Sequence, residues 1–150
     1  MQDTIEIRYA IEKDIEGILT LMEQLGYPTP KKEFLKTFKK FTAIPGYGVV
    51  IAVYSKQVVG WVAWSKSQLL VVDKVRFHIE GIVIDDRYRG LGIGTKLMDF
   101  IENIARNSSP SIIDLTSGTR REKDGTHEFY KKLGYKNEGL MAKLYLRKEF

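Results

Sequence analysis

The chain contains no cysteine, which excludes disulfide bonds, thiolate metal ligands and cysteine nucleophiles. Only two histidines stand among its 150 residues, so the sequence predicts no metal site. A chain of this length buries enough surface to fold without such supports, and we expect a single domain over residues 1–150. The lack of cysteine also fits a reducing compartment, which favours the cytoplasm.

Long hydrophobic runs are absent as well. No segment approaches the roughly 18 apolar residues of a membrane span, and the charged start of the chain lacks the apolar core of a signal peptide. We therefore expect a cytoplasmic protein without a membrane partner. Lysine and arginine total 24 against 19 aspartate and glutamate, which suits an anionic small molecule. Nucleic acid is not an expected partner, because RNA-binding aromatic signatures and a recognition-helix pattern are missing.

The spacing of apolar residues predicts an α+β domain. Strands are expected where β-branched and aromatic residues alternate or cluster, and helices where apolar residues recur every three or four positions. The predicted strands are 5–9, 49–54, 58–64, 75–84, 112–116 and a last pair through Tyr135 and Leu140–Leu146. The predicted helices are 11–25, a segment after Pro30, 94–106 and 126–133. Strands 49–54 and 58–64 should form a hairpin, with residues 69–72 either extending it or lying in a loop.

Glycines at alternate positions mark the point where the longest predicted strand gives way to a helix. Gly90, Gly92 and Gly94 lack the Cβ atoms that would block close approach, and they permit backbone angles that let successive N–H groups converge on an anion. The helix that follows adds the positive end of its dipole. Arg87 and Arg89 place positive charge at the rim of the loop. This segment therefore predicts a pyrophosphate site.

Two other phosphate-binding motifs do not match this spacing. A dinucleotide-binding fingerprint begins directly after its strand, whereas a charged stretch separates Ile84 from Gly90. A Walker A loop requires glycine, lysine and then serine or threonine, but Thr95 precedes Lys96 here. The remaining alternative is a purely structural turn, and the neighbouring arginines and helix start argue against it.

The segment Arg89–Gly94 resembles the acetyl-CoA signature of the GNAT superfamily of N-acetyltransferases. Residues 127–135, with Phe129-Tyr130 at their centre and Leu133-Gly134-Tyr135 at their end, are similar to the family's C-terminal helix-and-strand motif. The order of predicted elements also matches. The resemblance implies the GNAT acyl-CoA acyltransferase fold: a mixed, mostly antiparallel central sheet of about seven strands with a splayed central pair, and about four helices. It also implies acetyl-CoA as cosubstrate.

The same resemblance implies which residues hold acetyl-CoA. Backbone groups of the long strand should pair with the pantetheine arm, the glycine loop should bind the pyrophosphate, and the C-terminal helix should contact the CoA arm. These residues are Ile82, Val83, Ile84, Arg87, Arg89, Gly90, Leu91, Gly92, Ile93, Gly94, Thr95, His127 and Tyr130. His127 is the lesser candidate among them, since a helical histidine is often a packed surface residue.

Acetyl transfer to an amine requires a proton acceptor, stabilisation of an oxyanion, and a hydrogen bond or proton for the leaving thiolate. The resemblance implies that Tyr130 serves the thiolate, although its helix pattern alone would make it a core residue. An acidic residue on the long strand is implied as the base. We expect Glu80 in that role, directly or through water, with His78 second. The alternative for Glu80 is a solvated strand carboxylate.

The long predicted strand changes from polar to apolar near Gly81. Alternation places every second side chain on one face. The face in question carries Arg76, His78, Glu80, Ile82 and Ile84. A glycine at such a change is typical of a β-bulge or a splayed strand.

The predicted function is N-acetyl transfer from acetyl-CoA to a primary amine of a small molecule or peptide, by direct attack in a ternary complex. The acceptor should lie near strand 76–80, with Trp61 and Trp64 among the aromatic residues available to line its pocket, although each of them could equally be a core residue. The alternative is a non-catalytic acyl-CoA-binding sensor or interaction module. A homodimer is a further expectation, because members of the resembling family often dimerise.

Overall fold

A computed structural model describes residues 4–116, 126–138 and 146–150. It divides into two compact units, Met1–Leu115 and Thr116–Phe150. The single domain expected over residues 1–150 stays a prediction. None of the helices in the described ranges is long and apolar enough to cross a membrane.

The first unit contains a five-stranded sheet in the order β1-β2-β3-β4-β5. Its strands are β1 (Glu6–Tyr9), β2 (Gly48–Tyr54), β3 (Gln57–Gln68), β4 (Val75–Ile84) and β5 (Ser111–Leu115). All neighbours are antiparallel except β4 and β5, which are parallel. The predicted β2–β3 hairpin is confirmed, and its two turn residues, Ser55 and Lys56, have φ of 47° and 65°. Positive φ at both positions matches the twist of the strands that they connect.

Four α-helices lie in the described ranges: α1 (Ile15–Gln24), α2 (Lys31–Thr42), α3 (Ile93–Asn107) and, in the second unit, α4 (Thr126–Lys132). The first begins four residues after the predicted start at Ile11. The reason is a short 3-10 turn over Glu12–Asp14. The Asp14 carboxylate accepts hydrogen bonds from the Ile11 amide at 2.7 Å and from Arg8 at 2.9 Å, which fixes the chain before α1.

The two faces of the sheet are covered by different helices. On one face, α1 and α2 pack against β2, β3 and β4 in a cluster that includes Ile18, Phe38 and Trp61. On the other face, Trp64 lies against Phe100 of α3, with ring centroids 6.3 Å apart. The two tryptophans of β3 therefore belong to opposite layers, because they are three residues apart on one strand.

The described part of the sheet has five strands, fewer than the seven expected, while the α+β class and the mixed sheet are confirmed. The predicted last strand pair through Tyr135 and Leu140–Leu146 falls mostly outside the described residues. The hairpin does not extend to Leu69–Val72, because β3 ends at Gln68. In the loop that follows, Leu70 is 98% exposed.

Replacement of Gly48 by alanine should destabilise the protein. Gly48 lies opposite the fully buried Trp64, and a Cβ atom there would come closer than 3.0 Å to three atoms of the indole ring. We expect Gly48→Ala to lower the free energy of unfolding by about 1–3 kcal/mol in urea denaturation, the usual effect of overpacking. Ser67→Ala, at an exposed position of β3, is the control. An unchanged midpoint for Gly48→Ala would contradict this packing.

Candidate active site

A β-bulge interrupts β4 where the sequence changes from polar to apolar. Ala63 of β3 lies opposite Gly81 and Trp64 lies opposite Ile79, so Glu80 has no partner on β3. The bulge expected near Gly81 is thus confirmed. A Cβ atom at Gly81 would lie 2.9 Å from the Trp61 ring, so the glycine also lets this indole pack beneath the bulge.

The extra residue reverses the alternation of side chains along β4. Cross-strand partners share a face, and His78 pairs with Ser65, on the same parity of β3 as Trp61. Ile82 pairs with Val62, which lies on the opposite parity. Arg76 and His78 therefore face α1 and α2, whereas Ile82 and Ile84 face α3. The prediction that all of these side chains share one face was wrong, because strict alternation assumes a regular strand.

β4 has an incomplete second neighbour. Its parallel pairing with β5 runs only from Val75 to Ile79, where the partner residue is Leu115. From Gly81 to Ile84, β4 is paired with β3 alone within the described ranges. The other edge of this segment thus presents backbone N–H and C=O groups for which a ligand can supply partners.

A buried carboxylate shapes the loop after β4. Asp85 is 3% exposed and accepts hydrogen bonds from the Arg87 amide at 3.0 Å and from the Arg87 guanidinium at 2.9 Å. These bonds, led by the one from the side chain, hold the pKa of Asp85 below its ordinary value. The adjoining Asp86 amide donates to Gln24 of α1 at 3.1 Å. Sequence reasoning does not single out Asp85, whose role depends on its burial.

The two loop arginines lie at the rim, as expected, but each is paired with an acid. Arg87 binds Asp85 at 2.9 Å, and Arg89 binds Asp86 at 2.8 Å. The local positive field is therefore smaller than two unpaired arginines would produce. The pair of Arg89 and Asp86 is solvent-exposed, and such pairs contribute little to stability, so an anion can compete for this guanidinium.

The glycines give the loop an open backbone. Gly90 and Gly92 have φ of 78° and 81°, the left-handed region that other residues seldom adopt. A Cβ atom on either would meet no atom of the described residues within 4 Å apart from its chain neighbours, so packing among those residues does not explain them. Gly92 is the N-cap of α3, and no described side chain forms a capping hydrogen bond to this helix. The first amides of α3, from Ile93 to Thr95, have no hydrogen-bond partner among the described residues, and helix-end amides of this kind suit an anion.

A charged cluster joins β4 to β5 beside the bulge. Asp114 accepts a hydrogen bond from Arg76 Nε at 2.7 Å, and its other oxygen lies 2.7 Å from His78 Nδ1. Burial alone would raise the pKa of Asp114, but the hydrogen bonds from Arg76 and His78 outweigh it and the pKa is lowered. Asp114 is absent from the sequence-derived site, because only the parallel register opposite His78 reveals it.

Comparison with known families identifies this strand, loop and helix. The model of the acetyltransferase (GNAT) family matches residues 15–135. The chain belongs to the GNAT acetyltransferase family. No curated protein matches it in sequence.

Solved structures of the GNAT fold align over nearly the whole chain. A GNAT family acetyltransferase from Staphylococcus aureus is 22% identical, with a TM-score of 0.77 over 98% of this chain and 99% of that one. The aminoglycoside N-acetyltransferase AAC(6')-Iy in complex with CoA is 16% identical, with a TM-score of 0.83 over 100% and 98%. An aminoglycoside acetyltransferase from an uncultured soil sample, in complex with sisomicin, is 16% identical, with a TM-score of 0.74 over 97% of each chain.

The second unit carries the C-terminal GNAT motif on α4. Tyr130 is buried, and its ring lies 5.3 Å from that of Phe129 and 6.0 Å from that of Tyr135. His127 Nε2 is buried without a hydrogen-bond partner among the described residues. The roles implied for Tyr130 and His127 stay predictions.

A cavity of about 430 Å³ lies elsewhere in the first unit. Its walls include Tyr9, Trp64, Lys66 and Phe77, but none of the residues predicted for acetyl-CoA binding or catalysis. Trp64 faces α3, on the opposite side of the sheet from Trp61 and His78, which fits the alternative that it is a core residue. The opposite layers of these two side chains follow from their odd spacing on β3.

Asp85→Asn should destabilise the GNAT loop in a pH-dependent way. A carboxylate whose pKa is lower in the folded than in the unfolded state stabilises the fold above its unfolded pKa, and this contribution disappears as the pH falls through the folded pKa. We expect a loss of about 1–3 kcal/mol at pH 7, and a difference from wild type that shrinks below about pH 4. Urea denaturation across pH measures both.

Asp86→Asn is the matched control for that variant. Asp86 is exposed and carries the same charge in the adjacent position, so its loss should change stability by less than about 0.5 kcal/mol. If the two substitutions changed the free energy of unfolding equally, the buried Asp85 carboxylate would not stabilise the loop more than the exposed Asp86 does.

Proposed function

We propose that this GNAT protein transfers an acetyl group from acetyl-CoA to a primary amine of a small molecule or peptide, within a ternary complex. One observation carries the proposal: the bulged, half-unpaired strand β4 leads directly into an open glycine loop and an uncapped helix. A thioester site and a pyrophosphate site are thereby joined along one continuous segment of chain.

In this proposal the donor lies along β4 and its loop. The pyrophosphate accepts hydrogen bonds from amides of the Gly90–Thr95 segment, with Arg87 and Arg89 beside it. The pantetheine amides pair with the free backbone edge of Ile82–Ile84, which needs partners that β5 does not supply. Leu91 is 60% exposed in the loop and is available to cover the CoA arm. His127 is a further candidate for contact with that arm.

The chemistry requires three groups: a donor to the thioester oxygen, a donor to the leaving thiolate and an acceptor for the amine proton. A β4 amide freed by the bulge hydrogen-bonds to the thioester oxygen and stabilises the oxyanion. Tyr130 donates to the departing thiolate. Glu80 and His78 are the candidates for accepting the amine proton, since both lie at the bulge on β4.

The acceptor is proposed to approach from the face of β4 that carries His78. The buried Trp61 indole lies beneath the bulge there, and the exposed Glu80 carboxylate supplies negative charge that suits a protonated amine, since Asp114 is already paired with Arg76. The neighbouring α2 carries lysines 31, 32, 36, 39 and 40. Because these would repel a polycation, a small monoamine or a peptide amine fits this chain better than the aminoglycosides named for two of the similar structures.

Gly92→Val should abolish acetyl-CoA binding. Valine disfavours the φ of 81°, and its side chain would project into the open space proposed for the pyrophosphate. Isothermal titration calorimetry with acetyl-CoA should show an affinity at least about 100-fold weaker, given the loss of several anion hydrogen bonds.

Gly26→Val is the matched control, because Gly26 also has positive φ and an open Cβ position but lies just after α1, outside the Gly90–Thr95 segment proposed to bind the pyrophosphate. It should suffer similar backbone strain and keep its acetyl-CoA affinity. Unaltered affinity in Gly92→Val would refute the proposed pyrophosphate site.

Tyr130→Phe should reduce kcat by on the order of 100-fold, since it removes a proton donor from the leaving thiolate. The KM for acetyl-CoA should change little, because the ring stays in place. Thiol release across a panel of small amines and peptides measures both constants. Tyr135→Phe, which removes a hydroxyl from the neighbouring ring, is the control.

Full turnover by Tyr130→Phe would disprove the role of its hydroxyl. A wild-type protein that binds acetyl-CoA yet releases no thiol with any amine would instead favour the non-catalytic acyl-CoA-binding module.

A further inference from the structure

Three side chains on the α1–α2 face of the sheet form a closed polar cluster of Arg76, His78 and Asp114. Each is only partly exposed, at 33%, 23% and 36% of its side chain. One Asp114 oxygen lies 2.7 Å from Arg76 Nε and the other lies 2.7 Å from His78 Nδ1. A guanidinium nitrogen of Arg76 also lies 3.0 Å from His78 Nδ1.

These distances determine which imidazole nitrogen carries the proton. A carboxylate oxygen accepts hydrogen bonds only, and it cannot lie 2.7 Å from an unprotonated ring nitrogen without repulsion between lone pairs. His78 Nδ1 therefore donates to Asp114. The guanidinium nitrogen of Arg76 that lies beside His78 Nδ1 then forms no hydrogen bond to it, because both groups are donors. The Nε–H of Arg76 donates to the Asp114 carboxylate. In the neutral ring, Nε2 consequently has a free lone pair.

His78 Nε2 is placed to meet a substrate. It has no hydrogen-bond partner in the described part of the chain, and it is not among the buried unpaired polar atoms there. His78 lies two positions before the bulge residue Glu80, and its side chain faces the layer that contains Trp61. Glu80, by contrast, is exposed and is bonded to none of the described side chains, so nothing there holds its carboxylate in one orientation.

We infer that Asp114 is a positioning residue that holds His78 as the general base of the acetyl transfer, with Nε2 as the basic atom. This inference rests on the proposed function. Glu80 is then left to attract the ammonium group of the acceptor, and Arg76 keeps Asp114 ionised and aligned.

The proton and bond changes balance as follows. An acceptor ammonium gives one proton to His78 Nε2, and the resulting amine nitrogen forms a bond to the thioester carbon. The carbon–sulfur bond then breaks, the sulfur takes a proton from Tyr130, and the second amine proton returns to Tyr130 directly or through water. His78 releases its proton to solvent. The products are the N-acetyl amine, CoA thiol and one proton.

Nitrogen-15 NMR of the imidazole rings tests the positioning role without turnover. The chain has only two histidines, so a His127→Gln variant assigns the His78 signals. At a pH where the ring is neutral, wild type should show a protonated Nδ1 and a bare Nε2. In Asp114→Asn the proton should move to Nε2, because Arg76, already 3.0 Å away, becomes the donor to Nδ1. A wild-type ring protonated on Nε2 would overturn the inference directly.

Kinetics with the best amine of the panel tests the catalytic role. His78→Gln should lower kcat on the order of 100-fold and Asp114→Asn at least about 10-fold, both with little change in the KM for acetyl-CoA. Asp99→Asn, the same substitution at an exposed position of α3, is the control. Glu80→Gln should mainly raise the KM for the amine.

Two outcomes would overturn the assignment: a larger fall in kcat for Glu80→Gln than for His78→Gln, or full activity in His78→Gln. Failure of wild type to bind acetyl-CoA in calorimetry would remove the proposed function itself, and with it the base. The NMR result distinguishes that case, because the tautomer is measured whether or not the protein is active.

Discussion

Between Ile79 and Gly81, strand β4 contains one more residue than the strand paired with it. A paired strand can accommodate an extra residue only by leaving it unpaired and turning the chain around it, which reverses the faces of the residues beyond. In this protein the reversal puts His78 and Val83 in the same layer and sends Ile82 to the other. The polar side chains before the bulge, among them His78, are therefore followed directly along β4 by the strand edge that is proposed to bind acetyl-CoA.

The direction in which β4 leaves the sheet depends on a second constraint, the buried Asp85. Its carboxylate is satisfied by the backbone and side chain of Arg87, so the chain turns immediately after the strand. That turn brings Gly90 and Gly92 in front of α3, where none of the described side chains caps the helix N-terminus. The anion site proposed there consists mainly of backbone amides, since the loop arginines are already paired with acids. In the proposed site, the two loop arginines add attraction for an anion, whereas the backbone amides determine where the anion lies.

Much of the fold could be predicted from local pattern. The β2–β3 hairpin, the amphipathic helices and the glycine loop could be predicted from the spacing of apolar residues and the positions of glycines along short segments. The predicted start of α1 was four residues too early. The spacing of apolar residues does not reveal the hydrogen bond from the Ile11 amide to Asp14, which delays the helix.

The sequence by itself determined the family, through two motifs whose residue types the chemistry requires. It also indicated Gly81 as the place for a bulge. Only the tertiary structure decided the faces after the bulge and the partner of His78. Asp114 is 36 residues from His78, and the two meet because β4 and β5 are parallel and in one particular register. This contact depends on the register in which the connection through α3 places β5 beside β4. The local preferences of the two strands do not determine that register.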